Sequence, residues 1–216
     1  VKNMNDNAIE LPKGQFHVIP EKDEGMQLNE YQSLAMRTAK VFPEVAKNLD
    51  HVALGIASEV GELCLTVAQA WMRLPFNPEN INEEIGDASW FSALACEIMG
   101  WNFEECFLTP DMASDMSTEL AAAVLGRNPI AMTLVLSHFG SEIVTIIKAH
   151  IIYGKELDAV MMRRNLNLLV TTLSLLSDLH GIPYVEITLA ENIAKLAKRY
   201  PEKYSDAAAI ERADKQ

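Results

Sequence analysis

The chain has 216 residues, 49% of them hydrophobic, which is enough for a sizeable buried core and too apolar for a disordered chain. Its formal net charge is -12. A surface of that sign repels a phosphate backbone and argues against nucleic acid as a partner; a phosphorylated small molecule would have to bind through a metal ion or a local basic cluster.

Residues 1–26 carry two prolines, Gly14 and Gly25 without sustained periodicity, and read as an irregular arm. Beyond them nearly every segment has helical spacing. Asn29 can cap a first helix over about residues 30–41, with Tyr31, Leu34, Ala35 and Thr38 on one face. Pro43 restarts the chain, and Asp50 can cap a second helix to about residue 72, with Val52, Ile56, Val60, Leu63 and Val67 spaced for burial. Pro75 and Pro78 punctuate a short loop. A third helix over about residues 79–99 has Ile85, Ala88, Trp90, Phe91 and Leu94 as its apolar set, and Gly100 is its stop signal. Short helices near 103–107 and over 111–125 lead to Gly126. Long apolar helices follow at about 129–152 and 156–179, broken by Gly154, and a last helix runs from after Pro183 to near residue 200. With no alternating strand pattern, the predicted fold class is an all-α helix bundle.

Cys64, Cys96 and Cys106 show no CxxC or Cys/His metal spacing and read as reduced core residues of a cytoplasmic protein. The sequence shows no basic-then-apolar leader and no unbroken run of about 18 apolar residues, so neither a signal peptide nor a membrane span is expected.

Two stretches repeat. The segment around Glu62, SEVGELCLTVAQAW, resembles HFGSEIVTIIKAHI around Glu142, and the segment around Gly100 resembles that around Gly181, at offsets of 80 and 81 residues. A nearly constant spacing predicts a duplicated helical hairpin.

Two pairs of carboxylates stand out: Glu59 with Glu62 on the second helix, and Glu84 with Asp87 on the third. Residues three apart fall within about 60° on a helix face. If the two helices pack antiparallel, four carboxylates converge, and a hard dication such as Mg²⁺ relieves their repulsion. An ExxE pair on a helix is ordinarily a solvated face; here both pairs lie in strongly apolar helices, where inward charge needs a reason. Gly61 and Gly86 sit inside the motifs, where glycine costs about 1 kcal/mol relative to alanine and admits a close approach to the backbone. A di-iron bundle would need Glu-x-x-His pairs, and no histidine lies three residues after a glutamate. Phosphate-loop, dinucleotide-binding and hydrolase-elbow motifs are also missing.

The run Glu59-Val60-Gly61-Glu62-Leu63, with 21 residues between Glu62 and the following Glu84-Ile85-Gly86-Asp87, and then Ala88-Ser89-Trp90-Phe91, resembles the ExxE…ExxD signature of MazG-like nucleoside triphosphate pyrophosphohydrolases. Tyr31-Gln32 with Ala35-Met36-Arg37-Thr38-Ala39, and the segment from Asn192 to Ser205, are similar to two further family segments; together the resemblance covers roughly residues 27 to 100 and 134 to 212. It implies Mg²⁺-dependent hydrolysis (Mn²⁺ being an alternative dication) of a nucleoside or deoxynucleoside triphosphate to the monophosphate and pyrophosphate. Glu59, Glu62, Glu84 and Asp87 would be the metal-binding and catalytic residues, and Asn192, Lys195 and Arg199 the substrate-binding ones. Related families that cleave dUTP and dCTP point to a pyrimidine deoxynucleotide, and Trp71, Trp90 and Trp101 are candidates for stacking the base.

The second copy departs from the pattern. By the offset, Phe139 stands for Glu59, Asn165 for Glu84 and Leu168 for Asp87, while Glu142 still matches Glu62. The expected layout is therefore an arm over 1–26, one all-α domain over 27–212 and a tail over 213–216. Within the domain, 27–108 is the catalytic half and 127–212 a degenerate second half, a linked pseudo-dimer with one metal site; a homodimer of such chains is compatible with it. The competing functions are a non-catalytic all-α interaction protein that kept the fold, and a phosphatase acting on a nucleotide-like alarmone.

Overall fold

The computed structural model describes residues 26–107 and 127–215. Residues 1–25 of the expected arm over 1–26, and the expected helix over 111–125, lie outside the described residues. All regular structure among the described residues is helical: α1 (Leu28–Met36), α2 (Val45–Trp71), α3 (Pro78–Met99), α4 (Pro129–Tyr153), α5 (Ala159–Leu179), α6 (Ala190–Arg199) and α7 (Asp206–Glu211). A 3-10 turn over Phe103–Cys106 follows α3, and a wide helical turn over Tyr184–Leu189 leads into α6.

Local chemistry sets the boundaries. Asn77 and Asn128 cap α3 and α4 through their side chains, each followed by a proline at the first helical position. Gly100 (φ 69°) and Gly154 (φ 64°) end the same helices in the left-handed conformation. Three starts differ from the sequence reading. Asn29 does not cap α1, because its amide bonds Glu104; the helix begins two residues earlier, with Glu30 accepting from the Gln27 N–H. Nor does Asp50 cap α2: Asn48 ties back both the N–H and the carbonyl of Phe42, and the helix starts at Val45. Asp158 accepts from the Met161 N–H, so α5 starts at Ala159.

Helix α2 packs against α3 on one side and α4 on the other, α5 packs against α4, and α5 also meets α3, which closes a four-helix ring. Ile56, Leu63, Ile85, Leu136, Ile143, Leu166 and Leu173 are fully buried within it. Cys64 reaches the carbonyl of Thr133, while Gly140 faces Ile56 and Val60. Residue numbers therefore rise along α2 as they fall along α4, and the two helices are antiparallel. Helices α1 and α6 pack on α3.

In the second hairpin the positions opposite the signature carboxylates are structural. Phe139 (2% exposed) and Leu168 (4% exposed) are core residues, and buried Asn165 donates to the Met161 carbonyl of its own helix. Cys96 and Cys106 are buried, free and 3.0 Å apart at sulfur, and Cys64 is half-buried.

The absence of a membrane-length segment, expected from unbroken apolar runs, is corrected by averaging along the helices. By length and composition alone, α2 and α4 are long and apolar enough to cross a membrane, with mean hydropathy of 1.3 and 1.7 over their most apolar windows. Isolated polar residues interrupt the runs without lowering the mean enough. In α2 that composition coexists with Glu59 and Glu62 on the wall of a cavity.

Candidate metal centre

Glu59, near the middle of α2, faces the second and third turns of α3, and this brings three of the four signature carboxylates together. One oxygen each of Glu59, Glu84 and Asp87 lies within 4.8 Å of the others. Glu62 lines the same cavity but stands outside this group and is exposed. Glu84 is the most buried of the four, at 8% exposure. Burial, a hydrogen bond to Glu59 and the charges of Glu59, Glu62 and Asp87 push its carboxyl up to about 8. Burial and the Asp87 charge raise Glu59 as well. At neutral pH a proton thus sits between Glu59 and Glu84, taking the place of some of the positive charge that the cluster needs.

Lysine supplies more. The Lys195 ammonium donates to both oxygens of Asp87 at 2.5 Å and to Glu83 at 3.3 Å. Asn192 donates to Asp87 Oδ1 at 2.7 Å and accepts from the Tyr31 hydroxyl at 3.0 Å. The phenol is fully buried, and burial raises its pKa well above the ordinary range, so it remains a donor. Gly86 makes this chain of bonds feasible, since a Cβ there would lie 3.0 Å from the Asn192 Cβ. The close approach expected of the motif glycines is therefore seen at Gly86; at Gly61 a Cβ would meet nothing within 4 Å.

The cavity, about 580 Å³, extends from the carboxylates past Lys195 and Arg199 to Thr38, Lys40, His51, Trp90 and Phe91. His51 meets Phe91 and Trp90 edge-on, at centroid separations of 5.3 and 6.0 Å. Burial and the Lys40 charge hold the His51 imidazole below its ordinary range, and its Nδ1 is buried without a hydrogen-bond partner among the described residues. Of the three tryptophans only Trp90 lines this cavity; Trp71 is exposed, and Trp101 packs against the core with the Arg163 guanidinium over its ring.

Lys195 and Arg199 line the cavity, and Asn192 lies behind Asp87. Arg199 does not point freely at the carboxylates: it makes a two-pronged ion pair with Asp214, at 2.6 and 2.5 Å. Residues 213–216, read from sequence as a tail, instead contribute a 3-10 turn over Ala213–Lys215, and Lys215 donates to Glu83 at 2.5 Å. Glu83 stands about 100° around the helix from Glu84, off the face that carries the signature pair. It lines the cavity all the same: burial would raise its carboxyl, but Lys215 and Lys195 hold it below the usual range. Two groups escaped the sequence reading. His51 carries no motif, whereas Ser205, which accepts from the Ala208 N–H and caps α7, was a readable signal.

The donor set fits a hard dication. It is all carboxylate oxygen, clustered and partly buried, and the protein already directs an ammonium into it. The fit has a consequence for stability. A carboxyl whose folded-state pKa lies above its ordinary value of 4.5 holds its proton in the folded state after the unfolded chain has lost it. Stability then falls as pH rises from that ordinary value to about 8. His51, shifted down, acts in the opposite direction only below its ordinary 6.5. From there to about pH 8 the melting temperature in EDTA is expected to decline, and millimolar Mg²⁺, which prefers the ionised cluster, is expected to remove the decline. A flat or rising melting temperature in EDTA over that range contradicts the assignment.

Compared with known proteins, the chain matches no family model, no curated protein and no solved structure.

Proposed function

We propose that this chain is a MazG-like nucleoside triphosphate pyrophosphohydrolase that uses Mg²⁺, with one catalytic half and one structural half. The observation that carries the reading is the meeting of Glu59, Glu84 and Asp87 on the wall of a cavity also lined by Lys195 and Arg199. Acidic and basic groups on one wall suit a metal–triphosphate complex, and the volume is in the range of small-molecule sites.

In this reading Glu59, Glu84 and Asp87 hold the dication, which, when bound, supplies positive charge against the phosphates. Asn192, oriented by Tyr31, keeps Asp87 turned toward the cluster. The Lys195 ammonium, now on Asp87, turns to the phosphate oxygens and stabilises charge developing there. Glu62 accepts the proton of the attacking water from the same wall. Water adds at the α-phosphorus, the bond to the bridging α–β oxygen breaks, and pyrophosphate leaves with the electron pair. His51, Trp90 and Phe91 then border the remainder of the substrate.

The pseudo-dimeric arrangement has support of its own. Helices α2 and α4 meet at Gly140, where a Cβ would lie 3.3 Å from Ile56 and 3.7 Å from Val60. Val60 and Gly140 are 80 residues apart, the offset of the sequence repeat. Equivalent positions meeting each other is what a two-fold relation between halves requires.

The test is a panel of the common ribo- and deoxyribonucleoside triphosphates with Mg²⁺, assayed for products. Pyrophosphate and monophosphate in equal amounts from at least one of them is expected. Orthophosphate release would indicate a different phosphatase, and no turnover of any member would favour a non-catalytic protein.

A further inference from the structure

The pairing of Arg199 with Asp214 is the feature that the proposed reaction leaves unexplained. Arg199 lines the cavity beside Lys195, Arg212 and Lys215, yet its guanidinium is gripped by a carboxylate from the same chain through Nε and one Nη. The Asp214 side chain is 0% exposed and that of Arg199 is 17% exposed. The pair is therefore a buried, two-pronged salt link rather than a surface one, and the geometry by which a guanidinium grips a carboxylate is also the one by which it grips a phosphate. Arg199 holds the Asp214 carboxyl below its ordinary range, so the internal ligand is an anion.

The segment carrying Asp214 is anchored at several points. Lys40 pairs with Asp206 at 2.6 Å, the Tyr204 N–H donates to the Arg37 carbonyl, and Lys215 reaches Glu83 on α3. Ala209, Arg212 and Lys215 all line the cavity. Residues 204–215 thus form a strap along one wall, fastened at its start to the chain after α1 and at its end to the acidic face of α3. Among the described residues, the links at the far end are ionic: Arg199 to Asp214 and Lys215 to Glu83. Contacts of this kind are the ones a competing polyanion can replace, and helix α7 adds only the partial packing of Ala208 and Ala209 against the core, with no fully buried residue.

We propose that Asp214 is an internal stand-in for a phosphate group: Arg199 forms an anion subsite for the distal phosphates of a polyphosphate ligand, and the strap closes that subsite until the ligand displaces it. This rests on the proposed pyrophosphohydrolase reading for the identity of the ligand. It adds that the chain carries its own competitor. Displacement of Asp214 frees the Arg199 fork for phosphate oxygens and leaves Arg212 and Lys215 on a strap that can re-close over the bound anion.

The test is calorimetric titration of inorganic tripolyphosphate with Mg²⁺ into the full chain and into Asp214→Ala and Asp214→Asn. Both variants are expected to bind about ten-fold more tightly than the parent, the factor that removing a competing internal ligand worth one such step supplies. Arg199→Ala is expected to lose binding, and the gain from Asp214→Ala is expected to vanish in the double variant. A second readout does not depend on substitution: amide hydrogen exchange in residues 206–215 of the parent should quicken, or its protected sites redistribute, when tripolyphosphate is added. Equal or weaker binding in both Asp214 variants, with their helical circular dichroism intact, would show that Asp214 merely positions Arg199 and would overturn the proposal. Exchange in 206–215 that is unaltered by saturating tripolyphosphate would overturn it as well. The measurement separates the two claims. Tighter binding in the Asp214 variants without nucleotide turnover sustains the strap and removes the enzyme; turnover with unchanged binding does the reverse.

Discussion

Asp87→Ala and Glu84→Gln are each expected to lower Mg²⁺-dependent pyrophosphate release by about 10²–10³-fold while leaving the helical fold in place. The reasons differ. Asp87 accepts from Asn192 and Lys195 at once, so its removal takes away an anionic cluster ligand and unseats two side chains. Glu84→Gln keeps the shape but removes the charge from the most buried of the carboxylates. In metal-free protein Glu84→Gln is expected to be neutral or stabilising near pH 7, because glutamine supplies directly the uncharged group that Glu84 becomes only by taking up a proton on folding. Loss of activity together with gain of apo stability is the pattern of a site that trades stability for function. Full activity in either variant, measured by product release, would rule out its role.

Leu168→Asp and Phe139→Glu are expected to have the largest effect on stability, about 3–5 kcal/mol each, which is a large share of the stability of an ordinary domain. Both side chains are core residues of the second hairpin. An acid there returns the residue type that the signature has in the first hairpin, but without its surroundings. In the first hairpin, Asp87 meets the Lys195 ammonium and the Asn192 amide. At Leu168 a carboxylate would be enclosed by apolar side chains. Denaturant unfolding with and without Mg²⁺ checks this. A destabilised variant that Mg²⁺ does not rescue is expected; rescue by Mg²⁺ would mean that the second hairpin still holds a cation site, against the division into one catalytic and one structural half.

How far the site was legible from the chain follows from the physics of each element. Helical periodicity and the turn signals Pro78, Gly100 and Gly154 located four long helices, because each signal acts within its own turn. Starts were less readable. Asn29 and Asp50 are good capping types, yet Asn29 is drawn to Glu104, 75 residues away, and Asn48 closes a local loop ahead of Asp50. The i, i+3 spacing was enough to put Glu84 and Asp87 on one side of α3, and antiparallel packing carried Glu59 to them. The same spacing rule does not find Glu83, which also lines the cavity, since a cavity that wraps part of a helix admits neighbours at a wider angle than the three-residue rule allows. Arg199 was marked as a phosphate contact from its place in a segment, but nothing local shows that Asp214, 15 residues on, would occupy it. Long-range ion pairs of that sort leave no periodic trace.

The most direct measurement is binding of Mn²⁺, as a paramagnetic stand-in for Mg²⁺, followed by electron paramagnetic resonance on the parent chain and on Glu84→Gln and Asp87→Ala at pH 8. Saturable binding in the parent that Mg²⁺ displaces, weakened at least ten-fold in both variants, is the expected result. Binding of equal strength in all three proteins, or none in the parent, would contradict the assignment of Glu59, Glu84 and Asp87 as a cation site and, with it, the proposed chemistry.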